Sequence, residues 1–384
     1  MKELLSSIER KEEKIMAAGS SIGNLFRITT WGESHGKGVG VVVDGCPAGL
    51  SLCKEDIQIY LDRRKPGTSK FTTPRSEEDC VEILSGVFEG RTTGTPISMI
   101  VFNKTQRSRD YGEIASYYRP GHADYTYDCK YGFRDYTGGG RSSGRETIAR
   151  VAAGAIAAKL LKEIGITIEA YTKKIGPVEI SDSLFCIEER FHNPLCMPDA
   201  LAAEQAEKYL EKCMVEHNSS GGLIECRIAG MPVGIGEPCF DKLSANLGKA
   251  VLSIGAVKGF EIGDGFAVAE ATGLSNNDAF FVDHEKNISK KTNHAGGILG
   301  GLSDGSEIVF RAAVKPTPSV FAKQETVNKA GENISVNIKG RHDPVIVPRA
   351  VVVVECMTAI TILDALMENM SAKVDNIKKF YNKK

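Results

Sequence analysis

Arg141-Ser142-Ser143-Gly144-Arg145-Glu146-Thr147 follows three consecutive glycines, Gly138-Gly139-Gly140. A glycine-rich approach to a helix start leaves backbone N–H groups open to an anion, and the helix dipole favours negative charge there. Two guanidiniums and two hydroxyls at the same spot add charge-assisted donors. The chemistry on offer is the capture of a phosphate or carboxylate. An ordinary capped helix with solvated arginines has the same local string, so the string alone leaves both open.

Four other places carry residues of this kind. Trp31-Gly32-Glu33-Ser34-His35-Gly36-Lys37-Gly38 displays one histidine between a serine and glycines, a pattern for proton transfer or for a structural hydrogen bond. It has neither Walker nor Rossmann spacing. Arg63-Arg64-Lys65-Pro66-Gly67-Thr68-Ser69-Lys70 sets four cations around a Pro-Gly loop, fitting an anion or a helix C-terminus. Arg119-Pro120-Gly121-His122-Ala123-Asp124 places a second histidine on a turn, and Arg341-His342-Asp343-Pro344 sets a third beside an aspartate.

The elements that must position these groups follow from periodicity. Ser143 and Glu146 have capping-box spacing and predict a helix running to about Ile164, stopped by Gly165. Lys54 to about Arg64 reads as a helix with Ile57, Tyr60 and Leu61 on one face. Val81–Phe88 and Thr95–Phe102 read as a hairpin. Lys104–Gly140 has little clean periodicity and many aromatics, which suits a functional segment more than disorder. Strands are expected at 166–175, 223–228, 256–262 and 307–314, and helices at 198–215 (Pro198 near its first position), 241–253 and about 356–370. Asn276–Lys291 reads as an exposed polar loop. Periodicity alone does not separate a two-domain α/β protein from one α+β domain.

Composition excludes several classes. The 384 residues are 42% hydrophobic and 25% charged, with a net charge of −1, which is globular and gives no bulk attraction to nucleic acid. The ten cysteines form no C-x-x-C pair and the seven histidines no H-E-x-x-H, so no metal site is expected and the thiols read as reduced. The most apolar run, Ala350–Leu366, carries Glu355 and Asp364 and reads as too short to span a membrane. Residues 1–16 lack a signal peptide's apolar core. The expected organisation is an extension over 1–20, frayed or disordered, one domain over 21–375, and a basic tail over 376–384.

Five strings taken together resemble the chorismate synthase family: Gly32–Gly36 with Asp44-Gly45, Arg119–Asp124, Gly140–Thr147, Asn293–Gly301 and Arg341–Pro344. They stand in the family's order and cover about Asn24 to Met370. The resemblance implies one α+β domain with helices sandwiched between antiparallel β-sheets, a homotetramer, and a cytoplasmic location. It implies conversion of 5-enolpyruvylshikimate 3-phosphate to chorismate and phosphate by trans-1,4-elimination. That reaction needs reduced FMN without net redox change, and NADPH serves some members as reductant.

Residue by residue, His35 resembles the family's acid toward the leaving phosphate, and His122 the histidine beside the flavin. Asp343 resembles the aspartate assisting proton removal from C6 by the flavin. Arg64, Lys70 and Arg145 match substrate-binding positions. Arg141, Ser142, Ser143, Gly255, Ala256, Gly300, Lys315, Pro316, Thr317, Pro318, Ser319 and Arg341 match FMN-contacting positions. Lys65 and Lys70 stand where many members have arginine, and Val352 where they have proline. Two other readings compete. One is a non-catalytic flavin- or phosphate-binding protein, disfavoured by the presence of both histidines and Asp343. The other is a nucleic-acid module using Lys104–Tyr136, disfavoured by its interleaved acids.

Overall fold

Sixteen residues of the helix Val347–Asn369 are buried, and the molecule is layered around it. A helix apolar on all sides can only be a core element or a membrane span. Among the described residues it is the one helix long and apolar enough to cross a membrane, and 78% of its apolar window is buried inside the protein. The helix starts nine residues before the expected Cys356, because Pro348 suits a first helical turn and the valine run continues it. The apolar span is therefore longer than its sequence suggested. Val352 lies in its unbroken interior. The computed structural model describes residues 19–67, 69–72, 77–104, 113–338 and 343–382.

The Thr147–Glu163 helix lies against this central helix. A Cβ at Gly154 would meet the Cys356 Cβ at 2.2 Å, so this glycine lets the two helices approach closely. Helices Lys54–Arg64 and Leu243–Leu252 complete the layer. On one side packs an antiparallel sheet in the order Ser21–Ile22, Arg27–Gly32, Gly38–Asp44, Ile97–Phe102, Val81–Ile83. On the other packs a second, in the order Val257–Ile262, Ile308–Val314, Gly222–Ala229, Thr167–Ile175, Val178–Glu179. Ile308–Val314 alternates buried and half-buried residues without a break, presenting one face to the helices. The fold is thus α+β, with helices between two antiparallel sheets.

Several local expectations change. Ser143 caps a short 3₁₀ turn through the Arg145 N–H, and the Glu146 side chain leaves the helix end for Thr30 and Arg150, so the α-helix starts at Thr147 without a capping box. Asp199, not Pro198, opens the Ala200–Val215 helix by accepting from Ala202 N–H. Asn276–Lys291 holds a hairpin, Phe280–Val282 with Ile288–Lys290. The irregular segment before the glycines contains a helix, Asp124–Tyr131. The basic tail belongs to a helix from Val374 to Tyr381. Residues 1–18 of the expected extension lie outside the described residues, but Ser20 is tied to the first sheet by a bond from Thr30 N–H at 2.9 Å.

Candidate active site

Where the Thr147–Glu163 and central helices begin and the Lys54–Arg64 helix ends, they frame a cavity of about 2820 Å³. That is roughly three times the upper end of a drug-sized site, about 300–1,000 Å³, so two substantial ligands fit together. Two helix N-termini open onto it, Thr147 and Ile346 lining it. Eleven Lys and Arg side chains line it against five Asp and Glu, although the whole chain has 48 against 49. Near-neutral composition hides a strongly cationic interior.

The triglycine turn forms one wall, with positive φ at all three positions. A Cβ on Gly138 would sit 2.1 Å from the His35 ring, and one on Gly139 would sit 3.2 Å from His122 Cε1. Both candidate histidines therefore pack against this turn, which only glycine permits. His35 Nδ1 lies 3.1 Å from Ser34 Oγ. His122 Nδ1 lies 3.0 Å from Asp124 Oδ1 and 3.0 Å from Arg119 Nη2. Arg119 also grips Asp124 with Nε and Nη2, both at 2.8 Å. Burial pushes the Asp124 carboxyl upward, but the hydrogen bonds and charges of Arg119 and His122 more than reverse this and hold it well below the carboxylate range. Next along the wall, Arg141 Nη2 donates to Thr30 Oγ1 at 2.7 Å, and Thr30 donates to Glu146 at 2.9 Å.

The opposite wall is built on Asp79, a buried aspartate with φ +47°. Its Oδ2 accepts from Arg64 Nη2 at 2.7 Å, and Arg145 Nη1 lies 3.2 Å from its Oδ1. Arg64 also donates to Gly144 O at 3.1 Å and Thr147 Oγ1 at 3.2 Å, while Arg145 Nε donates to Asn103 Oδ1 at 2.9 Å. Burial pulls Arg64 down to about 10, with Asp79 opposing and Arg349 and Arg145 adding to the fall, so it stays cationic at neutral pH. Arg349 donates from Nη1 to the buried Asp343 carboxylate and from Nε to Arg64 O at 3.1 Å. Four buried atoms of cavity-lining residues, Arg64 Nε, Arg134 Nε, Arg145 Nη2 and Thr317 Oγ1, have no hydrogen-bond partner among the described residues. Leaving such groups unpaired costs about 1–3 kcal/mol each, which points to ligands that complete them.

The structure brings most of the expected residues to one place. Arg64, His122, Arg141, Ser142, Ser143, Arg145, Gly255, Ala256, Lys315, Thr317, Pro318, Ser319 and Asp343 all line the cavity. His35 stands just behind Gly138. Pro316 lines a small neighbouring pocket instead. Lys70 faces away, paired with Glu207 at 3.1 Å and Glu211 at 2.8 Å. Gly300 lies on an exposed turn outside the lining. Arg341 lies outside the described residues. Sequence reasoning passed over Asp79, Asn103 and Arg349. Their only signal was polarity in otherwise ordinary stretches.

A profile of the chorismate synthase family matches residues 26–367. The chain is 67% identical to the chorismate synthase of Agathobacter rectalis, over 95% of this chain and 100% of that protein. It is 50% identical to the chorismate synthase of Cytophaga hutchinsonii, over 93% and 99% of the two chains. Among solved structures, a crystal structure of chorismate synthase superposes with a TM-score of 0.73 at 31% identity, covering 93% of this chain and 96% of the other.

Proposed function

The chain belongs to the chorismate synthase family, and we propose that the cationic cavity at its helix ends is where it carries out that family's reaction. The enzyme is a lyase that converts 5-enolpyruvylshikimate 3-phosphate to chorismate and phosphate, the last step of the shikimate pathway. The observation that carries the site assignment is the charge of the lining, eleven cations against five anions, with buried guanidinium atoms awaiting an acceptor. A substrate with one phosphate and two carboxylates needs such a lining.

In this reading Arg64 and Arg145 hold the substrate's anions. His35, packed on the glycine turn, donates the proton to the leaving phosphate, which departs more readily when neutralised. His122 is kept in place by Asp124 and Arg119. Asp343 stands where the C6 proton is removed and assists that removal. The cavity's size, its cations and the unpartnered Thr317 hydroxyl fit a phosphorylated flavin. We assign its binding to Arg141, Ser142, Ser143, Gly255, Ala256 and Lys315–Ser319. Held there, reduced FMN would supply electron density for the breaking C–O bond.

We read the enzyme as a cytoplasmic homotetramer with NADPH as a candidate source of reducing equivalents. Phe266, Leu274, Phe280, Val282 and Ile288 are large apolar side chains left exposed, the kind of residue a neighbouring copy covers. The test is chorismate formation under anaerobic conditions with chemically reduced FMN, then with oxidised FMN plus NADPH. Product in the first supports the reading, and product in the second adds an intrinsic reductase. No product in either, from folded protein, would overturn it. His35→Ala, His122→Ala and Asp343→Ala should each cut turnover by about 10²–10⁴. Wild-type turnover in all three would remove the site assignment.

A further inference from the structure

Arg349 sits in the first turn of the central helix, where the dipole disfavours a cation and no acidic residue accompanies it. Local helix energetics do not explain its place, but its contacts do. Nη1 donates to Asp343, six residues back along the chain and outside the helix. Nε donates to the main-chain carbonyl of Arg64, the last residue of the Lys54–Arg64 helix, at 3.1 Å. Terminal carbonyls of a helix lack intrahelical partners, and a cation there is favourable. One guanidinium therefore joins the start of one helix to the end of another, touching the Asp343 carboxylate before the first and the main chain of Arg64 at the second. Its planar fork fixes direction as well as distance, which an ammonium cannot do.

The chain around Asp343 has a second anchor. Ser220 N–H donates to Pro344 O at 2.8 Å, and Ser220 pairs with Val345 in a parallel bridge. That fixes the backbone beyond Asp343, and Arg349 grips its carboxylate directly. Arg349 also lies near enough to the Arg64 guanidinium to repel it, as Arg145 does. A third cation beside that buried pair is a cost, and the Asp343 carboxylate is the anion that offsets it.

We propose that Arg349 is a positioning residue for the elimination: it holds the Asp343 carboxylate at a fixed place relative to Arg64, so that the C6 proton is presented while the substrate's anions are bound. This rests on the assignment of Asp343 and Arg64 made above.

The experiment compares Arg349→Gln, Arg349→Lys and Asp343→Asn with wild type, using 5-enolpyruvylshikimate 3-phosphate carrying hydrogen or deuterium at the departing C6 position. Turnover is measured anaerobically with reduced FMN, and folding by urea titration. For Arg349→Gln the expected result is a fall in kcat of about 10²-fold, the scale of a 1 Å misplacement, with KM changed less than about threefold. The deuterium effect on kcat rises, because proton removal becomes slower relative to the other steps. Arg349→Lys restores part of kcat by supplying charge without the fork. An unchanged isotope effect, with activity lost only in proportion to unfolded protein, would make Arg349 merely structural and overturn the proposal. So would wild-type kcat in Arg349→Gln while Asp343→Asn is impaired. Wild-type kcat in Asp343→Asn would instead overturn the underlying assignment. If Arg349→Gln fails to fold, Arg349→Lys decides, a wild-type kcat and isotope effect together overturning the proposal.

Discussion

Lys290 is as well sealed from solvent as Arg64, with a side chain 2% exposed in each case. Its ammonium reaches Asp278 Oδ2 at 3.2 Å, Asn293 Oδ1 at 3.2 Å and Asp304 Oδ2 at 2.7 Å, one acceptor for each proton. Asp278 is equally complete, taking bonds from Thr292 Oγ1 at 2.7 Å, His294 N–H at 2.8 Å and Ala295 N–H at 3.0 Å. Around Arg64 the composition is similar, but Arg64 Nε and Arg145 Nη2 keep hydrogens that no acceptor among the described residues takes. A finished network stabilises a fold, here by pinning the loop that leads into the second glycine cluster. An unfinished one facing a cavity is built around something that arrives later. Burial and ion pairing alone do not tell the two apart; the acceptor count does.

The largest expected effect sharpens that contrast. Lys290→Met leaves Asp278 and Asp304 buried with their shared cation gone, and should destabilise the fold by about 3–5 kcal/mol in a urea titration. KM for 5-enolpyruvylshikimate 3-phosphate should stay at the wild-type value in the folded fraction. A raised KM would bring the Lys290 network into the site and end the distinction. The acid side gives a second handle. Burial raises the Asp278 carboxyl, yet Thr292, the two backbone N–H groups and Lys290 hold it well below its ordinary range. A carboxyl depressed in the folded state stabilises above its unfolded value, near 3.9, and that contribution drains away as pH falls below it. Asp278→Asn should therefore narrow the stability gap to wild type as pH is lowered from about 5 to 2. A gap that stays constant would contradict the depressed carboxyl.

Arg64→Ala tests the open network and should act mainly through binding. Losing a charge-assisted bond to a substrate anion costs about 1.5–3 kcal/mol, or roughly a 10- to 100-fold rise in KM. Stability also falls, since Asp79 loses its closest partner at 2.7 Å. Phosphate added to both proteins separates the effects: it should raise the Tm of wild type more than that of the variant. Equal protection would mean that Arg64 is finished by Asp79 alone.

The same contrast explains what the sequence could disclose. Periodicity predicts the helices Lys54–Arg64 and Leu243–Leu252 and four of the five strands of the second sheet, all but the two-residue Val178–Glu179, because each presents one apolar face to one partner layer. It places the start of the central helix too late, because Ala350–Val354 is an unbroken apolar run with no face to read and Arg349 before it reads as polar loop. The Phe280–Lys290 hairpin reads as a polar loop because its apolar side chains Phe280, Val282 and Ile288 stay exposed while its buried member is a lysine. His35, His122, Arg145 and Asp343 stand out through glycine-rich or resemblance-bearing strings. Asp79 and Arg349 do not, since their meaning comes from partners 15 and 285 residues away.

The smallest expected effect is the most discriminating. Gly138 and Gly165 both hold positive φ, +66° and +80°. Alanine at either position pays the left-handed backbone penalty, about 1–2 kcal/mol. At Gly165, past the end of the Thr147–Glu163 helix, the added methyl meets nothing within 4 Å. At Gly138 it lies 2.1 Å from the His35 ring, which must rotate away. The ring is the movable end of a side chain, so the displacement adds little to the stability loss. The two variants should then unfold at similar urea concentrations while only Gly138→Ala loses turnover, by about 10²-fold for a misplaced acid. Equal turnover in both would mean that the glycine turn shapes the backbone without holding His35 in its working position.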